Sequence, residues 1–235
     1  GRTPEIEDMS IDIGASSAEE AIQDFGVRIG APVAPDVQFS YDEAHDLMFG
    51  KAFDNRLGCA AVLATLERLG MDELAVDPVG ALAAQEEVGT RGAEVTARTV
   101  KPALAIAFEG SPADDTVVEP YLAQTAIHKG PMLRHIDKRM ITSPRFQRYA
   151  LDLAGELGIP AQESVRSGGS TDGAPIHLSN DGVPTIVIGL PVRYIHSHWG
   201  IASLSDFTHA VDLAEAVIRR LDAATIAAFR GGALA

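Results

Sequence analysis

Thr185–Ser197 reads TIVIGLPVRYIHS. Its first five residues form a short apolar run without polar alternation, the pattern of a strand buried on both faces. The run gives way to Arg193-Tyr194-Ile195-His196-Ser197, so a histidine follows a buried strand. Two upstream runs have the same form. Leu104–Phe108 ends at Glu109, and Val79–Ala84 ends in Gln85-Glu86-Glu87-Val88-Gly89-Thr90-Arg91-Gly92. Helical segments lie between and around them. Asn55–Leu69 carries Leu57, Ala60, Ala61, Ala64 and Leu66 near helical spacing and stops at Gly70. Ser143-Pro144 starts a helix whose stripe is Phe146, Tyr149, Ala150, Leu153, Ala154 and Leu157, and Gly158 ends it. A last helix from near Ser205 turns Ala210, Val211, Ala214, Val217, Ile218 and Leu221 toward the core. This alternation predicts an α/β fold over residues 49–235: a three-layer sandwich with helices on both faces of a mostly parallel mixed sheet.

Residues 1–48 follow another rhythm. Ser10–Ile13 and Val37–Tyr41 read as short strands, Ser17–Phe25 as a short helix stopped by Gly26, and Pro32 and Pro35 break the rest. These features predict part of a small β-rich accessory domain.

Composition excludes several functions. Of 235 residues 46% are hydrophobic and 22% charged, an ordinary globular balance. A net charge of −14 would repel a polyanion, so nucleic acid is not an expected partner. No run of about 18 apolar residues predicts a membrane span. Cys59 is the single cysteine, which forbids an internal disulfide and favours a reducing, cytoplasmic setting; its helical context predicts a buried thiol.

Polar clusters interrupt the apolar scaffold at element edges: Asp54, in Lys51-Ala52-Phe53-Asp54-Asn55-Arg56, then Glu86 and Glu87, then Glu109, then His196. Ligands in open α/β sheets bind beyond the carboxyl ends of strands, where three of the four clusters can converge. Each alone has a plainer reading. Asp54 is suited to cap a helix. A Glu-Glu pair is commonly a solvated turn, and a lone histidine is commonly structural. Three carboxylates and a histidine on separate elements together point to a cation site, although scattered ligands have no short-range signature.

The segments GKAFDNRLG (50–58), QEEVGTRGA (85–93), FEGSPADDT (108–116), SGGSTDGAPIH (167–177) and GLPVRYIHS (189–197) resemble, in order, the glutamyl and tetrahedral aminopeptidase family of co-catalytic metallopeptidases; Ile11–Ala15 extends the likeness into the accessory domain. The resemblance implies a zinc-peptidase-like fold and two divalent ions, zinc or cobalt with manganese also accommodated. Asp54 would bridge both ions. Glu87 and His196 would complete one site, and Glu109 would help hold the other. Glu86 would be the general base, and a water bridging the metals the nucleophile. Asp172 and His177 would shape the substrate pocket or simply hold their loop. Arg193 would contact substrate or form a structural ion pair. Peptides are the implied substrates and self-assembly through the accessory domain the implied quaternary state. The family's first segment carries one more histidine ligand, and no histidine precedes His45 here, so the Asp54–Glu109 site is expected to be weak or empty. The rival readings are a carboxypeptidase or deacylase on the same scaffold, and a catalytically impaired assembly subunit.

Overall fold

The computed structural model describes residue 3 and residues 5–231, in two compact units, Gly1–Asp36 and Val37–Ala235. The first has a 3-10 turn at Ile6–Asp8 and one helix, α1 (Ala18–Gln23). Ser17 Oγ accepts the Glu20 backbone N–H at 3.1 Å, and the Glu20 carboxylate accepts the Ser16 N–H at 2.7 Å. This reciprocal capping starts the helix where Ser-x-x-Glu stands in the sequence. No strand forms at Ser10–Ile13, contrary to expectation. A β-patterned segment gains its ladder bonds only from a partner, and none stands beside it among the described residues. None of the unit's described residues is buried, so it has no core of its own.

The second unit contains β1 (Ser40–Asp42), β2 (Leu47–Gly50), α2 (Phe53–Leu69), α3 (Arg91–Val100), β3 (Ala105–Pro112), β4 (Met132–Ile136), α4 (Pro144–Leu157), β5 (Gln162–Val165), α5 (Gly173–His177), β6 (Thr185–Val192), β7 (Gly200–Ser203), α6 (Leu204–Arg220) and α7 (Ala223–Phe229). β1, β2 and β7 make a small antiparallel sheet, so the expected strand near Val37–Tyr41 appears over Ser40–Asp42 and belongs to this unit. The larger sheet has the order β3-β6-β4-β5. It is parallel at β3–β6 and β4–β5 and antiparallel at β4–β6.

β6 is the keel. All eight of its residues are buried, as the unalternating TIVIGLPV stretch requires. Ile186, Ile188 and Leu190 enter a core with Leu57 and Ala61 of α2, Phe146 and Ala150 of α4, and Val211 and Leu213 of α6. Val187 points the other way, into a smaller cluster with Ala107, Met140 and Ala174. α5 packs on that second face against β3 and β6, and α3 packs against α5.

The largest departure from expectation is Val79–Ala84. It forms no strand, and Val79 and Leu82 are 62% and 57% exposed. An apolar run becomes a buried strand only when a neighbour accepts its backbone bonds, and none of the described strands lies against it. Two further elements are longer than their apolar runs. β3 continues through Glu109, which therefore lies within a strand, and β6 continues to Val192. α6 is capped two residues earlier than Ser205: Ser203 Oγ accepts the Asp206 N–H at 3.2 Å. Cys59 is exposed rather than buried. α2 buries Leu57, Ala61, Thr65 and Leu69 at spacings of four, and a residue two beyond Leu57 points away from that stripe. Among the described residues no helix is long and apolar enough to cross a membrane.

Candidate metal centre

Asp54 does not cap α2. Asp54 and Asn55 have non-helical backbone angles, and the regular helix begins after them. Asn55 takes the capping role: its Oδ1 accepts the Gly58 N–H at 2.9 Å while its Nδ2 donates to Phe108 O on β3 at 2.8 Å. That leaves the Asp54 carboxylate free of the helix, and it turns to His196. The Asp54 loop lies close against β3. A Cβ on Gly110 would stand 2.9 Å from Asp54 Cα and 3.0 Å from its Oδ1, so glycine beside Glu109 is what permits the approach.

His196 Nε2 lies 3.0 Å from Asp54 Oδ2 and 3.7 Å from Glu87 Oε2. Asp54, Glu87 and His196 each offer one ligand atom, all within 4.8 Å of one another. They border a cavity of about 260 Å³ that Tyr194 and Gly200 also line. Glu86 and Glu87 project from a turn in which Glu86 O accepts the N–H groups of Gly89 and Thr90 at 2.9 and 2.8 Å. Backbone strain gathers around these groups. Ala52, Gln85, Thr90, Tyr194 and His196 all adopt positive φ without being glycine. Such conformations cost on the order of 1 kcal/mol or more each and persist where surroundings over-determine them.

The carboxylates are held in an unfavourable environment. Burial, then the charges of Asp172, Glu87 and Asp54, push Glu86 up to about 7. Burial, then Glu87, raise Asp54 to about 6 despite the opposing influence of His196. Burial raises Asp172. Glu109, 6% exposed, is driven well above its ordinary range by burial, Glu86 and Asp54. Asp172 Oδ1 is in addition buried without a hydrogen-bond partner. Clustered carboxylates pressed toward protonation, one of them with an orphaned oxygen, and an imidazole in reach of two others, fit a divalent cation. The N and O donors suit zinc, cobalt or manganese.

A pH dependence follows from these shifts. Below the ordinary value of 4.5 Glu86 is protonated in both folded and unfolded chains. As pH rises from there to about 7, the unfolded chain releases the proton first, and the fold loses the corresponding stability. The metal-free melting temperature is therefore expected to fall across that window. Glu86→Gln should flatten the fall, which separates it from the general repulsion of an acidic chain. A calorimetric scan in chelator reads both; a melting temperature that rises across the window would contradict the environment described.

The remaining sequence candidates separate. Asp172 stands within the electrostatic reach of Glu86 and Glu109. His177 does not join the cluster: its Nδ1 lies 3.1 Å from Gly173 O, and it lines a different cavity with Asp181, Phe229 and Arg230. Arg193 is engaged by Asp115 through two bonds, Nε–Oδ1 at 3.0 Å and Nη2–Oδ2 at 2.7 Å. Asn55, Tyr194 and Arg134 were not singled out by sequence. Asparagine is a residue type that caps helices, but Asp54 beside it offers the same capacity; the others carry no local signal.

The sequence profile of the family described as M42 glutamyl aminopeptidase matches residues 1–213. The glutamyl aminopeptidase of Lactococcus lactis subsp. cremoris (strain MG1363) is 35% identical over 224 residues, covering 95% of this chain and 62% of that protein. The TET aminopeptidase from the marine sediment archaeon Thaumarchaeota archaeon SCGC AB-539-E09 has a similar structure, with a TM-score of 0.92 and 39% identity over 97% of this chain and 64% of its own. The Pyrococcus horikoshii TET1 peptidase, described as able to assemble into a tetrahedron or a large octahedral shell, is similar with a TM-score of 0.74 and 29% identity, over 89% and 60% of the two chains. The chain thus spans about three fifths of the length of these relatives. With a family profile matched over most of its length and a relative 35% identical over 95% of it, the chain belongs to the M42 glutamyl aminopeptidase family.

Proposed function

We propose that this chain carries the catalytic machinery of a di-metal aminopeptidase acting on peptides, on a three-layer, zinc-peptidase-like scaffold. The observation that carries the reading is the ion-sized triangle of Asp54, Glu87 and His196, with the half-buried Glu86 beside it. Asp54, Glu87 and His196 would hold one ion, and Asp54 with Glu109 would supply part of a second site. Bound divalent ions would polarise the scissile carbonyl and acidify water. The protein's own share is proton transfer. Glu86, half-buried beside the triangle, is the group in the cluster that would accept and return a proton. It takes the proton from the attacking water and passes it to the departing amine. The geometry favours no particular side chain at the peptide N-terminus.

Self-assembly belongs to the same proposal. It is supported by the shell-forming TET1 relative and by a first unit whose described residues bury no side chain. A second reading, an assembly subunit without activity, draws on one observation: the ion-sized group among the described residues contains a single histidine and excludes Glu109.

Paired peptides distinguish these readings. With zinc or cobalt supplied, a peptide with a free amine should be cleaved at its first bond and its N-acetylated twin should not. Cleavage of the blocked peptide would favour a deacylase or carboxypeptidase. Hydrolysis of neither, under both metals, would favour the assembly subunit.

A further inference from the structure

Beside Ser111, two residues along β3 from Glu109, lies a buried cation that the proposed chemistry leaves unused. Arg134, on β4, is 5% exposed. Its Nη1 is 3.5 Å from Asp137 Oδ2 and its Nη2 is 3.4 Å from Ser111 Oγ, both at the outer limit of a hydrogen bond, and its Nε is buried without a partner. A guanidinium taken from water and left so weakly bonded is an exception to the rule that buried polar groups are satisfied. Asp137 is a buried counter-charge for it: Oδ2 faces the guanidinium at 3.5 Å, while Oδ1 accepts the backbone N–H groups of Arg139 and Met140.

The sheet register shows what lies on the same side. Glu109 and Met132 both stand opposite Gly189 on β6. Residues two apart on a strand share a face, so Glu109, Ser111, Met132 and Arg134 all rise from one side of the sheet. Gly189 leaves the space between β3 and β4 open: a Cβ there would lie 2.4 Å from Ser111 Oγ and 2.9 Å from Met132 Cε. Through that gap the guanidinium reaches β3 at Ser111, two residues from Glu109. Among the charges around Glu109, Asp54, Glu86 and Asp172 oppose its ionised form and Arg134 favours it.

We propose that Arg134 is a positioning residue of the metal centre, a fixed counter-charge on the same sheet face as Glu109 that orients the Glu109 carboxylate toward a bound ion. The proposal rests on the metal-binding reading above. Groups that orient a ligand from behind typically contribute 10- to 100-fold in metal affinity when removed.

Calorimetric titration of the chelator-stripped full chain with cobalt(II) tests it, using wild type, Arg134→Gln, Arg134→Lys, Glu109→Gln and the double variant Arg134→Gln/Glu109→Gln. Arg134→Gln should weaken ion binding by about 10- to 100-fold. Arg134→Lys should recover part of that loss by keeping the charge. In the Glu109→Gln background, Arg134→Gln should add nothing further, because the residue it acts through is gone. A purely structural pairing with Asp137 predicts instead a lower metal-free melting temperature with unchanged affinity, and that result would overturn the proposal. So would an equal loss with and without Glu109. Should Arg134→Gln not fold, Ser111→Ala removes the hydroxyl on the Glu109 side; affinity should drop several-fold, and unchanged affinity would count against the role. A wild-type chain that takes up no cobalt overturns both this inference and the metal reading. Normal uptake unaffected by Arg134→Gln sinks the inference alone.

Discussion

Glu86→Gln is expected to lower turnover of a free-amine peptide by about 10²- to 10⁴-fold while ion uptake stays at the wild-type level. The substitution preserves size and hydrogen-bonding capacity but removes the proton acceptor. The fall should appear in kcat with KM little changed, because the group acts on the reacting proton rather than on the resting peptide. Stability supplies an independent readout. Glu86 is held at about 7 by burial and by Asp172, Glu87 and Asp54, so a neutral amide relieves that repulsion, and the metal-free variant should melt higher than wild type above neutrality. Near-normal turnover would remove Glu86 from the proton-transfer role. Lost turnover together with lost metal would make it a ligand instead.

The second large effect concerns Asp54. Asp54→Asn should abolish detectable ion uptake, and with it hydrolysis, because Asp54 is the carboxylate His196 approaches at 3.0 Å and the one lying against β3 beside Glu109. The same variant should stabilise the metal-free chain. Burial and Glu87 raise Asp54 to about 6, so at neutral pH the fold bears a charge it disfavours. Relief of roughly 1 kcal/mol corresponds to a rise of about 2–4 °C in melting temperature for a chain of this length. Wild type gains in the opposite way: ion at 1,000 times its dissociation constant adds about 4 kcal/mol. Thermal scans with and without zinc should therefore cross, with wild type above the variant when loaded and below it when stripped. A variant that keeps its zinc-induced shift would show that Asp54 does not hold the ion.

Relations among residues near in sequence were legible without the structure. The buried character of β6 followed from an apolar run with no alternation, the span of α4 from Ser143-Pro144 and Gly158, and the end of α2 from Gly70. These are local matters of side-chain polarity and backbone freedom. The carboxylates and His196 were legible as a set of polar clusters at element edges and by resemblance; their separations were not, because they come from elements far apart in the chain.

Strand pairing was the other non-local matter. Val79–Ala84 has the composition of a buried strand and is exposed, whereas Met132–Ile136, with Arg134 and His135 inside it, forms one. Composition describes what a strand can bury, and a ladder partner decides whether it forms. Tertiary structure likewise assigned the helix cap to Asn55 and released Asp54, bound Arg193 to Asp115, and set His177 in a separate cavity. By itself, then, the sequence determined the apolar scaffold, the family and the residue types available for chemistry. Only the fold decided which of those groups share a site, since distances of a few ångströms between segments more than a hundred residues apart depend on packing that no local pattern encodes.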